Sequence, residues 1–159
     1  MGSGTLHWLT GACLMFELDE RLAADTYFVG KTALSQLLLM DDARFPWLIL
    51  VPEVAHVSEP FDLSETDQAA LWRESMCLSR FLKAHYQADK LNVAALGNQV
   101  PQLHLHHIAR YHSDAAWPGP VWGVGAQERY VAQEATQLIR TMREGLAPYL
   151  RLNPTGSAY

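Results

Sequence analysis

Basic residues, cysteine and long apolar runs are all scarce in this chain. It has 12 basic and 17 acidic residues among 159, for a net charge of -5. It therefore lacks the basic surface that usually follows the phosphates of DNA or RNA. The composition predicts no nucleic acid polymer as a partner, although a small phosphate ligand needs only a few well-aimed donors.

The two cysteines, Cys13 and Cys77, stand in apolar surroundings without the spacing of a CxxC pair. This predicts reduced core side chains rather than a disulfide. No run approaches the ~18 apolar residues of a membrane span. The start of the chain also lacks the basic residues of a signal peptide. We therefore expect a cytoplasmic protein with no membrane partner.

Short β-rich runs with turn residues between them occur on both sides of a long amphipathic segment. That segment opens with Ser64 and Asp67, spaced as in a capping box, and Ala70, Cys77 and Phe81 recur at helical spacing. Strands are predicted over residues 26–32, 35–42, 46–53, 91–96 and 102–111, and a second helix over residues 127–150.

The order of these elements is strands, helix, strands, helix, without βαβ alternation. It predicts an α+β fold, with an antiparallel sheet of about five strands, a long helix packed on one face and a C-terminal helix. No internal repeat or linker divides the chain, so we expect a single domain over residues 1–159.

Residues 102–111 (QLHLHHIARY) contain three of the seven histidines within four positions. Side chains alternate between the faces of a strand, so Gln102, His104 and His106 would form a row on one face, roughly 7 Å apart. The opposite face would carry two leucines, which can pack beneath a helix, and His107.

Three interpretations of this row are open from the residues alone. The histidines could be hydrogen-bonded structural side chains on a half-exposed sheet face. They could bind zinc or iron, but no acid follows until Asp114, and Arg110 on the same face would repel a cation. A neutral imidazole is also a good nucleophile near pH 7, and a neighbouring histidine can hold or protonate phosphate oxygens. The third interpretation fits the row best.

The segment Gln102-Leu-His104-Leu-His106-His107-Ile108 resembles the motif of the histidine triad (HIT) family, His-φ-His-φ-His-φ-φ with φ apolar. The similarity extends upstream to the strand pair LLLMDDARFPWLILVP and to the strand and turn LNVAALGNQVPQLH. It covers about residues 26–112, which would be the core of a HIT-like domain, with residues 126–151 as a C-terminal helical extension.

This resemblance implies a hydrolase or nucleotidyltransferase that acts at the α-phosphate of a nucleoside phosphate derivative. His104 would attack the phosphorus and form a nucleotidyl-histidine, with its Nδ1 proton held by an acceptor, commonly a backbone carbonyl. His106 would bind the phosphate and help the leaving group depart. No metal or other cofactor is implied. The alternative is a nucleotide-binding module with little or no catalysis.

The resemblance also implies nucleotide ligands outside the motif. Asn98 and Gln99, in the turn before it, would offer amide donors to phosphate oxygens. Asp41 falls where the family places a ribose-binding acid, although a plain turn is the alternative. Asn92 is a weaker candidate, because the loop after it is shorter than in familiar members.

Two positions depart from the family pattern. Gln102 replaces the first histidine, which would remove a proton relay but keep a hydrogen bond, so restoring histidine there should leave activity unchanged or raise it. Trp47 stands about where many members have another active-site histidine. The family is usually a homodimer that pairs through its long helix and an edge strand. The expected partners are therefore a small-molecule nucleotide and a second copy of the chain.

Overall fold

A five-stranded antiparallel sheet carries the histidine-rich segment, as the sequence predicts. The computed structural model describes residues 15–155. Its strands are β1 Thr26–Lys31, β2 Ser35–Met40, β3 Trp47–Pro52, β4 Lys90–Ala94 and β5 Leu105–Arg110. They lie in the order β1-β2-β3-β5-β4, and every neighbouring pair is antiparallel. The predicted α+β fold is therefore confirmed.

Both faces of the sheet are covered, which explains why β2 and β3 are almost continuously apolar. The long helix α2 (Glu65–His85) and the C-terminal helix α3 (Ala132–Leu146) pack on one face. Their core with the sheet includes Leu37, Leu39, Leu48, Leu50, Leu78, Phe81, Leu82 and Met142. The opposite face packs against a short helix that the sequence did not predict, α1 (Glu20–Asp25), and against the chain after β5. That second core includes Leu22, Leu38, Trp47, Ile49, Val51, Ile108 and Val121.

Helix α2 begins as predicted but buries a different face. Ser64 caps it by accepting a hydrogen bond from the backbone N–H of Asp67, at 3.1 Å. Of the three residues expected on the buried face, Ala70, Cys77 and Phe81, only Phe81 is buried. The buried residues are Leu71, Glu74, Ser75, Leu78, Phe81 and Leu82. Two of them, Glu74 and Ser75, are polar, so the spacing of apolar residues alone did not identify the buried face of α2.

The two polar positions on this buried face have partners in the sheet layer. Glu74 accepts hydrogen bonds from the backbone N–H of Leu34 at 2.9 Å and from the hydroxyl of Ser35 at 2.8 Å. Ser75 contacts His107 of β5. These bonds make the burial of polar groups tolerable, because each group keeps a partner away from water.

No helix in the part of the chain that the structure describes is both long enough and apolar enough to span a lipid bilayer. Cys77 carries a free thiol and is half-buried. Cys13 lies outside the described residues.

Candidate active site

His104 and His106 lie side by side where the chain enters β5. Their ring centroids are 4.8 Å apart, with the planes inclined at 75°. The spacing is shorter than the roughly 7 Å expected along a regular strand. His104 precedes β5, which begins at Leu105, so the two residues do not both belong to the regular strand. Both imidazoles are almost buried, with exposed fractions of 7% and 6%.

His107 lies on the opposite face, on the side of helix α2, as the alternation predicts. Its Nδ1 is 3.1 Å from the carbonyl of Leu105, and its Nε2 is 2.7 Å from the hydroxyl of Ser75. A carbonyl only accepts, so Nδ1 donates the first bond and the serine hydroxyl donates the second. His107 therefore joins β5 to α2 and takes no part in the row of histidines.

We expect the pair formed by His107 and Ser75 to weaken the fold in mild acid. Burial lowers the pKa of His107 from 6.5 to about 4. The unfolded chain therefore binds a proton at this residue before the folded chain does, and stability falls as the pH drops from about 6.5 towards 4. Urea unfolding at several pH values measures this loss, and His107→Leu should reduce it. An identical pH dependence in that variant would contradict this assignment.

His104 is held in the tautomer that a nucleophilic imidazole requires. Its Nδ1 lies 2.6 Å from the backbone carbonyl of Gln102. Because that carbonyl cannot donate, Nδ1 carries the proton, and in the neutral ring Nε2 is the nitrogen with the free lone pair.

His106 has the opposite arrangement at Nδ1. The indole N–H of Trp47 donates to this atom at 2.9 Å. An indole N–H is only a donor, so Nδ1 of His106 is unprotonated and the neutral ring carries its proton on Nε2. Burial, with smaller contributions from His104 and His107, lowers the pKa of His106 to about 3. His106 is therefore a neutral hydrogen-bond donor at neutral pH.

A cavity of about 390 Å³ opens beside the two imidazoles, and we call it the histidine cavity. Its lining residues are Leu96, Gly97, Asn98, Gln99, Val100, His104, His106, Trp122 and Gly123. Trp122 walls it with its ring edge-on to His106, at a centroid distance of 5.1 Å. Asn98 and Gln99 have exposed side chains in the turn at its rim. The structure thus brings four of the predicted site residues together.

The side chain of Gln102 is engaged elsewhere. Its amide oxygen accepts from the backbone N–H of Asp19 at 2.9 Å, and its amide nitrogen donates to the carbonyl of Glu17 at 2.7 Å. Both bonds hold the segment that leads into α1. Gln102 contributes its backbone carbonyl to His104, while its side chain is not part of the lining of the histidine cavity.

Asp41 and Asn92 do not line the histidine cavity either. The carboxylate of Asp41 accepts from Arg129 Nη1 and from the backbone N–H of Tyr130, both at 2.9 Å. The side-chain oxygen of Asn92 accepts from Arg110 Nη1 at 2.6 Å. Both side chains are already engaged by other parts of the protein, and the predicted ligand roles of both residues remain predictions.

Arg110 does not act as a free charge near the histidines. It is 1% exposed, and its Nε and Nη2 donate to the two carboxylate oxygens of Asp114 at 2.7 Å and 3.0 Å. The expected repulsion of a cation by Arg110 is therefore wrong, because Asp114 balances its charge. Among residues 15–155, no group of three or more His, Cys, Asp or Glu side chains is arranged to hold a metal ion.

Sequence reasoning missed the contribution of Trp47 to this site. It treated Trp47 as a lost histidine, but the indole directly fixes the tautomer of His106. The Pro- and Gly-rich loop that contains Trp122 could, from its sequence, wall the pocket, form part of an interface or be a buried structural loop. In the structure, Trp122 lines the histidine cavity.

Comparisons with known proteins agree with this architecture. The family described as HIT domain matches residues 21–113. A histidine triad protein from Marinobacter aquaeolei VT8 is 46% identical, with a TM-score of 0.82, over 85% of this chain and 98% of that one. Another from Bradyrhizobium japonicum is 44% identical, with a TM-score of 0.79, over 86% and 99%. One from Sinorhizobium meliloti 1021 is 45% identical, with a TM-score of 0.80, over 82% and 96%. No match was found among curated proteins.

Proposed function

The chain belongs to the histidine triad (HIT) family, and on that premise we propose that it binds a nucleotide in the histidine cavity and attacks its α-phosphorus. The reaction class is hydrolysis or nucleotidyl transfer through a covalent nucleotidyl-His104. The observation that carries this proposal is the bond between His104 Nδ1 and the carbonyl of Gln102, at 2.6 Å. It directs Nε2, the nucleophilic nitrogen of the neutral ring, away from that bond, beside a cavity of about 390 Å³.

The reaction follows from this tautomer in two displacements. In the first, the lone pair of His104 Nε2 forms a bond to phosphorus, and the bond to the leaving group breaks with its electron pair. The imidazolium that results still donates a hydrogen bond from its Nδ1–H to the carbonyl of Gln102, and this bond stabilises the positive charge. In the second, water or another hydroxyl acceptor attacks phosphorus and releases its proton to solvent, and the N–P electron pair returns to Nε2.

The other polar groups of the histidine cavity would bind the phosphate. The Nε2–H of His106 would donate to a phosphate oxygen as charge accumulates in the transition state. The side-chain amides of Asn98 and Gln99 offer further donors at the rim. Fixed donors of this kind stabilise the transition state without reorganisation, so they contribute to the rate as well as to binding.

A substrate panel with a matched binding assay tests this function. The panel contains dinucleoside polyphosphates, nucleoside phosphoramidates and adenylylated acceptors, and the readout is released nucleoside monophosphate. Titration with nucleoside monophosphates should perturb the amide NMR signals of Asn98 and Gln99, with Ala33, an exposed residue in the turn between β1 and β2, as an internal control. Binding without turnover of any substrate would support the binding-module alternative. The absence of both binding and turnover would refute the proposal.

We also propose that the chain forms a homodimer through β4 and α2. β4 is an edge strand, and Val93 on it is 37% exposed. Beside it, Leu91 and the α2 residue Met76 line a shared open groove. Light scattering after size exclusion should give twice the chain mass, and Val93→Lys should shift the protein towards monomer. A wild-type monomer at micromolar concentration would contradict this assembly.

Gln102→His should lower stability rather than restore a proton relay, which revises the expectation from the sequence. The glutamine makes two bonds to the backbone at Glu17 and Asp19, and an imidazole cannot reproduce their geometry. We expect a loss of about 1–2 kcal/mol in urea unfolding. Gln102→Leu is the matched control, since it removes both hydrogen bonds from a side chain of similar size and adds no ionisable group, and it should lose a similar amount. A new ionisation near the imidazole range in the pH–rate profile, with stability unchanged, would contradict this assignment.

A further inference from the structure

The hydrogen bond from Trp47 to His106 fixes the position of the proton on the imidazole as well as the orientation of the ring. We propose that Trp47 is a positioning residue that fixes His106 as an Nε2–H donor, so that the site expels leaving groups which depart as stable anions. This inference rests on the proposed function, because it specifies the substrate class of the same cavity.

The position of Trp47 makes the bond hard to exchange. In the sheet, Trp47 of β3 pairs with Ile108 of β5, so the two side chains lie on the same face. His106 lies two residues before Ile108 on β5, and its side chain is therefore on that face too. The indole is 3% exposed, and it packs edge-on against Trp122 with a centroid distance of 5.6 Å and an angle of 88°. Trp122 also packs edge-on against His106, so the rings of Trp47, Trp122 and His106 are in mutual contact. This packing keeps the indole N–H of Trp47 directed at Nδ1 of His106.

Only one protonation state of His106 suits this partner. The imidazolium and the Nδ1–H tautomer would both set two N–H groups against each other across 2.9 Å. The titratable side chains that act on His106 are His104 and His107, and both disfavour a positive charge there. Burial acts in the same direction, since it favours the uncharged ring. Trp47 itself cannot take up or release a proton at any pH where the protein functions.

This state limits what His106 can do for the leaving group. A neutral imidazole that gives up its Nε2 proton becomes an imidazolate, which is too basic to form near neutral pH. His106 can therefore hydrogen-bond to the departing atom or to a phosphate oxygen, but it does not transfer its proton. The Nδ1 proton of His104 is no substitute, because it is held by the carbonyl of Gln102 at 2.6 Å.

The leaving group must consequently carry the electron pair of the broken bond by itself. The carboxylate of a mixed acyl-phosphate anhydride and the phosphate of a polyphosphate do so readily. An alkylamine departing from a phosphoramidate needs a proton that neither histidine supplies. The preferred substrates are therefore nucleoside phosphates linked to an acidic group, such as an acyl or phosphoryl group.

The tautomer itself is tested by long-range ¹H–¹⁵N correlation spectra of protein labelled at histidine. In the wild type, His106 should show an unprotonated Nδ1 and a protonated Nε2 from pH 8 to pH 5. Trp47→Phe removes the donor and should allow the second tautomer or a cation. Trp122→Phe is the matched control, because it alters a ring against His106 without removing that hydrogen bond. Should Trp47→Phe fail to fold, Trp47→His replaces the indole with a group that can also accept, and it should make His106 titrate.

The leaving-group preference is tested with nucleoside 5′-phosphate aryl esters whose phenols span several pKa units. For the wild type, kcat/KM should fall by roughly tenfold for each unit of phenol pKa, because no proton reaches the departing oxygen. Trp47→His should show a shallower dependence. An imidazolium at His106 near pH 6, or an alkyl phosphoramidate cleaved as fast as a mixed anhydride, would overturn the inference. Failure to turn over any nucleotide would instead refute the proposed function, and the spectra would still decide the tautomer.

Discussion

Replacement of His104 by alanine should abolish turnover of every accepted nucleotide and change nucleotide binding by no more than about 1–2 kcal/mol. The imidazole contributes mainly in the transition state, where its Nε2 forms the bond to phosphorus. The cavity wall formed by Trp122, and the amides of Asn98 and Gln99, remain in the variant. Released nucleoside monophosphate measures the first effect, and isothermal titration with a nonreacting nucleotide measures the second.

His112→Ala is the matched control for this experiment. The side chain of His112 is 71% exposed and pairs with Asp89 at 3.0 Å, away from the histidine cavity. Its removal should leave turnover unchanged. Turnover close to the wild-type rate in His104→Ala would remove this residue from the mechanism, whatever the outcome for binding.

The second large effect concerns stability. Arg110→Ala should lower the free energy of unfolding by about 3–5 kcal/mol, because it removes the charged partner of the Asp114 carboxylate and leaves only the backbone N–H groups of Tyr111 and Ala116 as donors. The side chain of Asp114 is 4% exposed, so little water reaches the carboxylate while the guanidinium is in place. Arg110 also donates to the side chain of Asn92 at 2.6 Å and to the carbonyl of Gly119 at 2.9 Å. The bonds to Asp114 and Gly119 hold the chain between β5 and Trp122, so the variant should also lose the cavity wall.

Urea unfolding at neutral and at acid pH measures this contribution. The hydrogen bonds from Arg110 lower the pKa of Asp114 from 3.8 to about 2. The wild type therefore keeps this stabilisation above about pH 4 and loses it as the pH falls towards 2. Arg110→Ala should lack that part of the acid transition. Arg140→Ala, at an exposed position of α3, should cost no more than about 0.5 kcal/mol. A loss below about 1 kcal/mol in Arg110→Ala would contradict the assignment.

Local patterns predicted much of the fold. The β-rich runs gave five strands within a few residues of their bounds, and Ser64 marked the start of α2. The buried face of α2 was wrong, because Glu74 and Ser75 are buried against partners in the sheet layer. Helix α1 has only six residues, which is too short for apolar periodicity to reveal it.

The candidate site was predictable where the chemistry is local. The carbonyl acceptor for His104 is two residues away in the chain, and a bond of this kind was expected from the resemblance. The donor to His106 comes from Trp47 on another strand, and the partners of Asp41 come from Arg129 and Tyr130 near the other end of the chain. Such contacts depend on sheet register and loop paths, which the residue pattern alone does not determine.

The central claim, a covalent nucleotidyl-His104, is tested most directly by mass spectrometry of the intact protein. The protein is mixed briefly with excess nucleotide substrate and quenched in base, because a P–N bond to imidazole is labile in acid. The mass should increase by one nucleotidyl group, the label should map to the peptide that contains His104, and His104→Ala should show no increase. Product release by the wild type with no adduct at any quench time, or an adduct that persists in His104→Ala, would contradict the account.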